Sequence, residues 1–190
     1  MSDTKVTLLG NCQTKALSWY IQQLNQTFDV QWIMIQRFAP TYWAPEPFFE
    51  GKPVNVITDL QEATKALQSS DYVIFQHIEP TISKNYNFGK LKTYVKKSKL
   101  ISITSMRYQP DDPDQENLKG MIERERLLNI DVRASKIIEK HGSKITMKEA
   151  NHPHVYYFLE LVREICAKTG WDYYSNEQYN RYLQEGYPFG

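Results

Sequence analysis

Short apolar runs alternate along the chain with segments whose apolar residues recur every three or four positions. Val6, Leu8 and Leu9 form the first run, and Ala16, Leu17, Tyr20, Ile21 and Leu24 then mark one face of a helix. "VQWIMIQ" (30–36) and "VNVIT" (54–58) read as strands, separated by the proline- and aromatic-rich stretch "FAPTYWAPEPFFEGKP". In "DLQEATKALQSS", Asp59 is the expected N-cap of a helix carrying Leu60, Ala63, Ala66 and Leu67 on one side. "DYVIFQ" and "LISIT" are further buried strands, with "FGKLKTYVKK" a helix between them. From Asn117 to Lys140 the chain is charged and helix-prone, with Asp131 expected to cap between two helices. A last helix is expected from Pro153 to about Lys168, ahead of Gly170. This order predicts an α/β fold: a three-layer sandwich with a mostly parallel sheet and extra helices toward the C-terminus.

Composition narrows the class. With 190 residues, 41% of them hydrophobic, the chain suits one α/β domain over 1–190, residues 171–190 forming an aromatic extension. A formal net charge of +1 supplies no global field for nucleic acid or an anionic membrane. The N-terminus lacks the pattern of a signal peptide, and no apolar run reaches membrane-spanning length. The two cysteines sit in unrelated contexts, so a reducing, cytoplasmic compartment is expected rather than a disulfide framework.

In doubly wound sheets ligands bind beyond the carboxyl ends of the strands. Three turns there could converge: Gly10-Asn11-Cys12-Gln13, Gln76-His77, and Thr104-Ser105-Met106-Arg107. Cys12 stands where a strand hands over to a helix, and the dipole and free N–H groups of a helix N-terminus favour the thiolate. Gly10 allows a sharp turn and close approach of a ligand, while Asn11 and Gln13 add amide donors beside the sulfur. The alternative is a small buried hydrophobe, the reading that suits Cys166 among Phe158, Leu159, Val162 and Ile165. Among the histidines, His77 either lines the site or is held by a strand-end hydrogen bond. His141 serves a helix C-terminus, and His154 falls within the first turn of the last helix. His152 is the best base: Pro153 at the first helical position would set it at the cap, with Glu149 three residues earlier to orient it. A plain helix cap is the competing reading. Neither His152 nor His154 has a ligand cluster of metal-site spacing, so no metal is expected.

"LLGNCQ", "VIFQH", "SMRYQPDDP" and "NHP", in that order, resemble the WcbI-type polysaccharide biosynthesis family over most of the chain to Gly170. The resemblance implies an SGNH-hydrolase/flavodoxin-like fold and an acetyltransferase that binds coenzyme A and modifies capsular or other surface glycans. It implies Cys12 in the place of the hydrolase serine, Gln76 completing the oxyanion hole, and His152 as the histidine of the last block. Glu149 stands where that pattern carries an aspartate.

A thiol attacking a thioester gives another thioester, so Cys12 could accept an acetyl group from acetyl-coenzyme A and pass it to a sugar hydroxyl deprotonated by His152. In a variant, His152 activates the sugar directly. Coenzyme A calls for cations at its phosphates, and Arg107 is the one nearest a strand end, ahead of Lys84, Lys90 and Lys92; Ser105 lies beside it. Trp43, Phe48 and Phe49 form either a pocket wall or a satellite cluster. The five tyrosines after Gly170 pack back on the domain, or form a sugar-stacking or homo-oligomer surface. The rival functions are a non-catalytic carbohydrate- or coenzyme-A-binding module and a thiol esterase.

Overall fold

The computed structural model describes residues 3–35, 54–77, 87–95, 98–106, 118–142, 147–149 and 152–185. The chain divides into two compact units, the first reaching Ile101 and the second running from Ser102 to Tyr187.

The first unit opens with β1 (Thr4–Gly10), α1 (Cys12–Leu24) and β2 (Phe28–Met34). It continues with β3 (Asn55–Ile57), α2 (Leu60–Ser69), β4 (Tyr72–Gln76) and α3 (Phe88–Tyr94), and β5 (Lys99–Ile103) follows. The parallel sheet has the order β3-β2-β1-β4-β5. Within it β2-β1-β4-β5 keeps the flavodoxin-like succession, and β3 adds an outer edge. The strands read as unbroken apolar runs because both faces are covered: Val6, Leu8 and Leu9 are fully buried. One face carries Leu9, Ile33, Val73 and Phe75 against Ala63, Ala66 and Leu67 of α2 and Leu91 of α3. The other receives α1, where Trp32 Nε1 donates to Thr14 Oγ1 at 3.0 Å. Gln22 of α1 also completes the start of β2, its Nε2 donating to Phe28 O (2.8 Å) and its Oε1 accepting from Val30 N (3.1 Å). Asp59 caps α2 as expected, accepting from the N–H groups of Gln61 and Glu62.

α1 departs from a simple amphipathic helix. Beside its apolar face, Gln13, Thr14, Lys15, Ser18, Gln22 and Gln23 are buried as well. Ser18 Oγ donates to Lys15 O at 2.6 Å, and Thr14 Oγ1 serves both Asn11 O and Trp32 Nε1.

The second unit contains α4 (Leu118–Leu127), α5 (Ala134–His141), the antiparallel pair β6 (Met147–Glu149) and β7 (His152–Pro153), α6 (Val155–Thr169) and α7 (Asn176–Glu185). Asp131 does not cap α5. Its Oδ2 accepts from Ser102 N (2.9 Å) and Ser102 Oγ (2.8 Å), and Val132 lies parallel to Ile103. Asp131 thus ties a loop to the exposed ladder edge of β5. The N-terminus of α5 is capped from a distance instead: Ala134 N donates to Thr104 Oγ1 (3.3 Å) and Ser135 N to Glu125 Oε1 (3.2 Å). Thr104 Oγ1 and Ser135 Oγ also donate to the Glu125 carboxylate, which is wholly buried. A buried charge is tolerable only when saturated with donors at such a helix end. Glu125→Gln, which keeps the shape and gives up the charge, is expected to lower unfolding free energy by about 1–2 kcal/mol, read from urea denaturation.

The last long helix begins at Val155, two residues later than expected. Proline drives the residue before it into extended backbone, so His152 joins β7, and His154 caps α6 by accepting from Tyr156 N at 3.3 Å. Gly170 ends α6 in the left-handed conformation (φ 79°), its N–H bonding Cys166 O. The aromatic extension packs. Tyr174 and Tyr182 are buried, and the Arg163 guanidinium lies 4.8 Å from the Tyr173 ring while bonding Glu160.

Candidate functional site

The strand order reverses between β1 and β4, which are neighbours although four elements separate them in the chain. In a doubly wound sheet the crevice outside the carboxyl ends of such strands is the ligand site. Leu9 pairs with Phe75 in register, so Gly10 and Gln76 stand side by side at that crevice. Asn11 is the N-cap of α1, its Oδ1 accepting from Gln13 N at 2.9 Å, and Cys12 is the first helical residue.

Gln76 organises this turn. Its Oε1 accepts the Asn11 N–H at 3.0 Å, which leaves the NH2 half of the amide to donate elsewhere. A Cβ on Gly10 would lie 2.5 Å from Gln76 Oε1 and 2.5 Å from Thr14 Cγ2. The group for which Gly10 makes room is therefore the protein's own carboxamide. Thr14 Oγ1 in turn donates to Asn11 O at 2.7 Å and accepts from Trp32, so two strands and the helix fix the turn together.

Cys12 is a half-buried free thiol. Burial raises its pKa above the ordinary value, against the backbone N–H groups of Gln13 and Cys12 and the charge of Lys15, which pull it down. The expected donors are present, but the expected net preference for thiolate is reversed because desolvation outweighs them. With the sign upward, the thiolate fraction at neutral pH is small and rises with pH, so the sulfur needs a base or a nearby cation. Lys15 is such a cation: it is 5% exposed and follows Cys12 by three residues. The motif reading passed over it, although i,i+3 spacing on a helix already places the two together.

The expected residues divide into groups. Gly10, Asn11, Cys12, Gln13 and Gln76 come together at the switch point. His77 lies at the same sheet edge, but the alternation of a strand turns it away from Gln76, and its ring meets Phe88 at 5.7 Å. It reads as packing for α3. In the second unit, Glu149 and His152 stand opposite one another in the β6–β7 register; their side chains lie outside the described residues. Ser105 follows β5 and accepts from Arg124 Nη2 at 3.4 Å, bringing Arg124 to that strand end as a cation not anticipated. Arg107, Lys84, Trp43, Phe48 and Phe49 are outside the described residues. Among the described residues no group of three or more His, Cys, Asp or Glu is arranged to hold a metal, and no helix is long and apolar enough to cross a membrane.

Fold and turn together define a doubly wound α/β protein with a thiol at the head of its first helix. No family model matches the chain, and neither does any curated protein or solved structure with which it was compared.

Proposed function

We propose that the chain is an acyltransferase in which Cys12 accepts an acetyl group from acetyl-coenzyme A and a glycan hydroxyl receives it. The observation that carries this reading is the switch-point turn, where a half-buried thiol at the first helical position and an amide whose Oε1 takes the Asn11 N–H, leaving its NH2 half as a donor, share one helix N-terminus. Thiolate attack on the thioester carbonyl forms a tetrahedral oxyanion, for which Gln76 Nε2 is the proposed donor. Coenzyme A leaves as its thiol, taking a proton, and Cys12 holds the acetyl group as a thioester. His152, oriented by Glu149, is the proposed base for Cys12 and then for the sugar hydroxyl, whose attack regenerates the free sulfur. Arg107 and Ser105 are the proposed contacts for coenzyme A. The resemblance of the short motifs to those of WcbI-type enzymes suggests the same assignment, with surface or capsular polysaccharide as the acceptor class and the cytoplasm, where acetyl-coenzyme A is made, as the compartment.

A second reading rests on the upward pKa of Cys12: His152 activates the sugar hydroxyl for direct attack on acetyl-coenzyme A, and the thiol shapes the pocket. Intact-protein mass after incubation with acetyl-coenzyme A separates the two. The first expects a single acetyl adduct on the wild type that is missing from Cys12→Ala and slower to form in His152→Ala. Turnover on a glycan acceptor without any adduct would favour the second. Acetyl release to water alone would identify a thiol esterase, and coenzyme A binding with no acetyl chemistry a binding module.

A further inference from the structure

Tyr156, His141 and Glu160 form one line of hydrogen bonds that acyl transfer at Cys12 does not use. The end of α5 is closed by Gly142, whose N–H bonds Ile138 O, so the His141 imidazole is not spent on that helix end, where the sequence placed it. It reaches α6 instead, on which Tyr156 and Glu160 are four residues apart and so share one helix face. Nε2 lies 3.0 Å from Glu160 Oε2, and Nδ1 lies 3.0 Å from the Tyr156 hydroxyl. A nitrogen facing a carboxylate carries its proton. In the neutral imidazole Nδ1 then holds the lone pair, and the Tyr156 O–H donates to it. Glu160 is 2% exposed and has its cation in Arg163, whose Nη1 meets both its oxygens at 2.9 and 3.0 Å. The carboxylate is thus balanced without a charge on His141, and the imidazole serves as its bridge to a phenol. Tyr156 and His141 are both half-buried, so a reagent can reach them from solvent.

We propose that Tyr156 is a second nucleophile of this protein, a phenol that takes acyl groups from activated esters while His141 removes its proton. Phenol, imidazole and carboxylate stand in the order of a nucleophile, its base and the group that orients the base, at distances suited to proton transfer. The phenol oxygen bonds the acyl carbon, and the bond from that carbon to the leaving oxygen breaks. The proton passes from Tyr156 to Nδ1 and then to the leaving oxygen or to solvent. The imidazolium formed on the way faces Glu160. Tyr179 approaches from α7, donating to Glu160 Oε1 at 3.5 Å, and it also hydrogen-bonds Tyr156. Burial and the neighbouring charges push its phenol up to about 12, so it keeps its proton and remains a donor as charge grows on the Tyr156 oxygen.

The test is p-nitrophenyl acetate on the full chain carrying Cys12→Ala, followed by peptide mass, so that Tyr156 is read apart from any chemistry at Cys12. A single acetyl is expected on Tyr156, removed by hydroxylamine as an aryl ester is, and formed about 10²-fold faster than on the half-buried Tyr72 and Tyr94. His141→Gln, whose amide can still donate to Glu160, should lose that advantage, and Tyr156→Phe should lose the label itself. Equal labelling of Tyr156, Tyr72 and Tyr94 would overturn the proposal, as would a rate at Tyr156 that His141→Gln leaves unchanged. Should His141→Gln fail to fold, the comparison of the three tyrosines in Cys12→Ala decides alone. A missing acetyl adduct on Cys12 in the wild type, by contrast, counts against transfer at that thiol and leaves the labelling of Tyr156 to stand or fall by itself.

Discussion

Gly10→Ala is expected to destabilise the protein by about 3 kcal/mol, lowering Tm by roughly 6 to 12 °C for a chain of this size. Gly10 does not adopt a positive φ, so backbone strain is not the reason. The added methyl meets Gln76 Oε1 and Thr14 Cγ2, both at 2.5 Å, and Thr14 Oγ1 at 2.6 Å. None of these atoms moves freely. Thr14 is fully buried, and its hydroxyl serves both Asn11 O and Trp32 Nε1. Gln76 is 4% exposed, and withdrawing its oxygen would strand the Asn11 N–H in a partly buried turn. The clash therefore breaks either a helix–strand tie or the bond that sets the head of α1. Thermal unfolding of Gly10→Ala checks this; a Tm within about 2 °C of the wild type would mean that the turn relaxes more readily than its bonds suggest.

The same residues show what the sequence made legible. Val6, Leu8 and Leu9, or the run "DYVIF", announce buried parallel strands because both faces of the sheet are covered, and the pattern needs nothing beyond its own few residues. Asp59 was readable for the same reason: its partners are the next N–H groups along the chain. Asp131 was not, because its partner Ser102 is 29 residues away and outcompetes the local helix end. α7 carries few aliphatic residues, and its burial depends on Tyr182 meeting Tyr174 at 5.0 Å, a contact that periodicity does not encode. At the site, Gly10, Asn11 and Cys12 were legible as a strand-to-helix turn, whereas the reason for Gly10 arrives from Gln76, far along the chain on β4. The opposite aspects of Gln76 and His77 were available from strand alternation alone. The burial of Lys15 was not, since a lysine among Gln13, Thr14 and Ser18 reads as a solvated face until the whole helix is covered.

Gln76→Glu is expected to leave the turn folded and to slow acetyl transfer by about 10²–10³-fold. Glutamate has the shape of glutamine, and one carboxylate oxygen can take the Asn11 N–H as Oε1 does at 3.0 Å. What disappears is the NH2 half of the amide, the proposed donor to the oxyanion. A negative charge replaces it at the same position, opposing both the thiolate and the oxyanion formed from it. Gln76→Leu separates these effects from the structural role. It too lacks the donor, but it adds no charge and leaves the Asn11 N–H without its acceptor, at about 1–3 kcal/mol of stability. The expected pattern is loss of transfer in both variants, with the larger fall in Tm in Gln76→Leu. The rate of adduct formation on Cys12 and a thermal melt, run on the same preparations, give the two readouts. Wild-type transfer in Gln76→Glu would reduce Gln76 to a strut for the Asn11 N–H, and the oxyanion would then depend on the backbone N–H groups at the head of α1. Should that happen, the Gly10→Ala measurement gains weight, because the architecture of the turn itself, rather than the amide that braces it, would carry the chemistry.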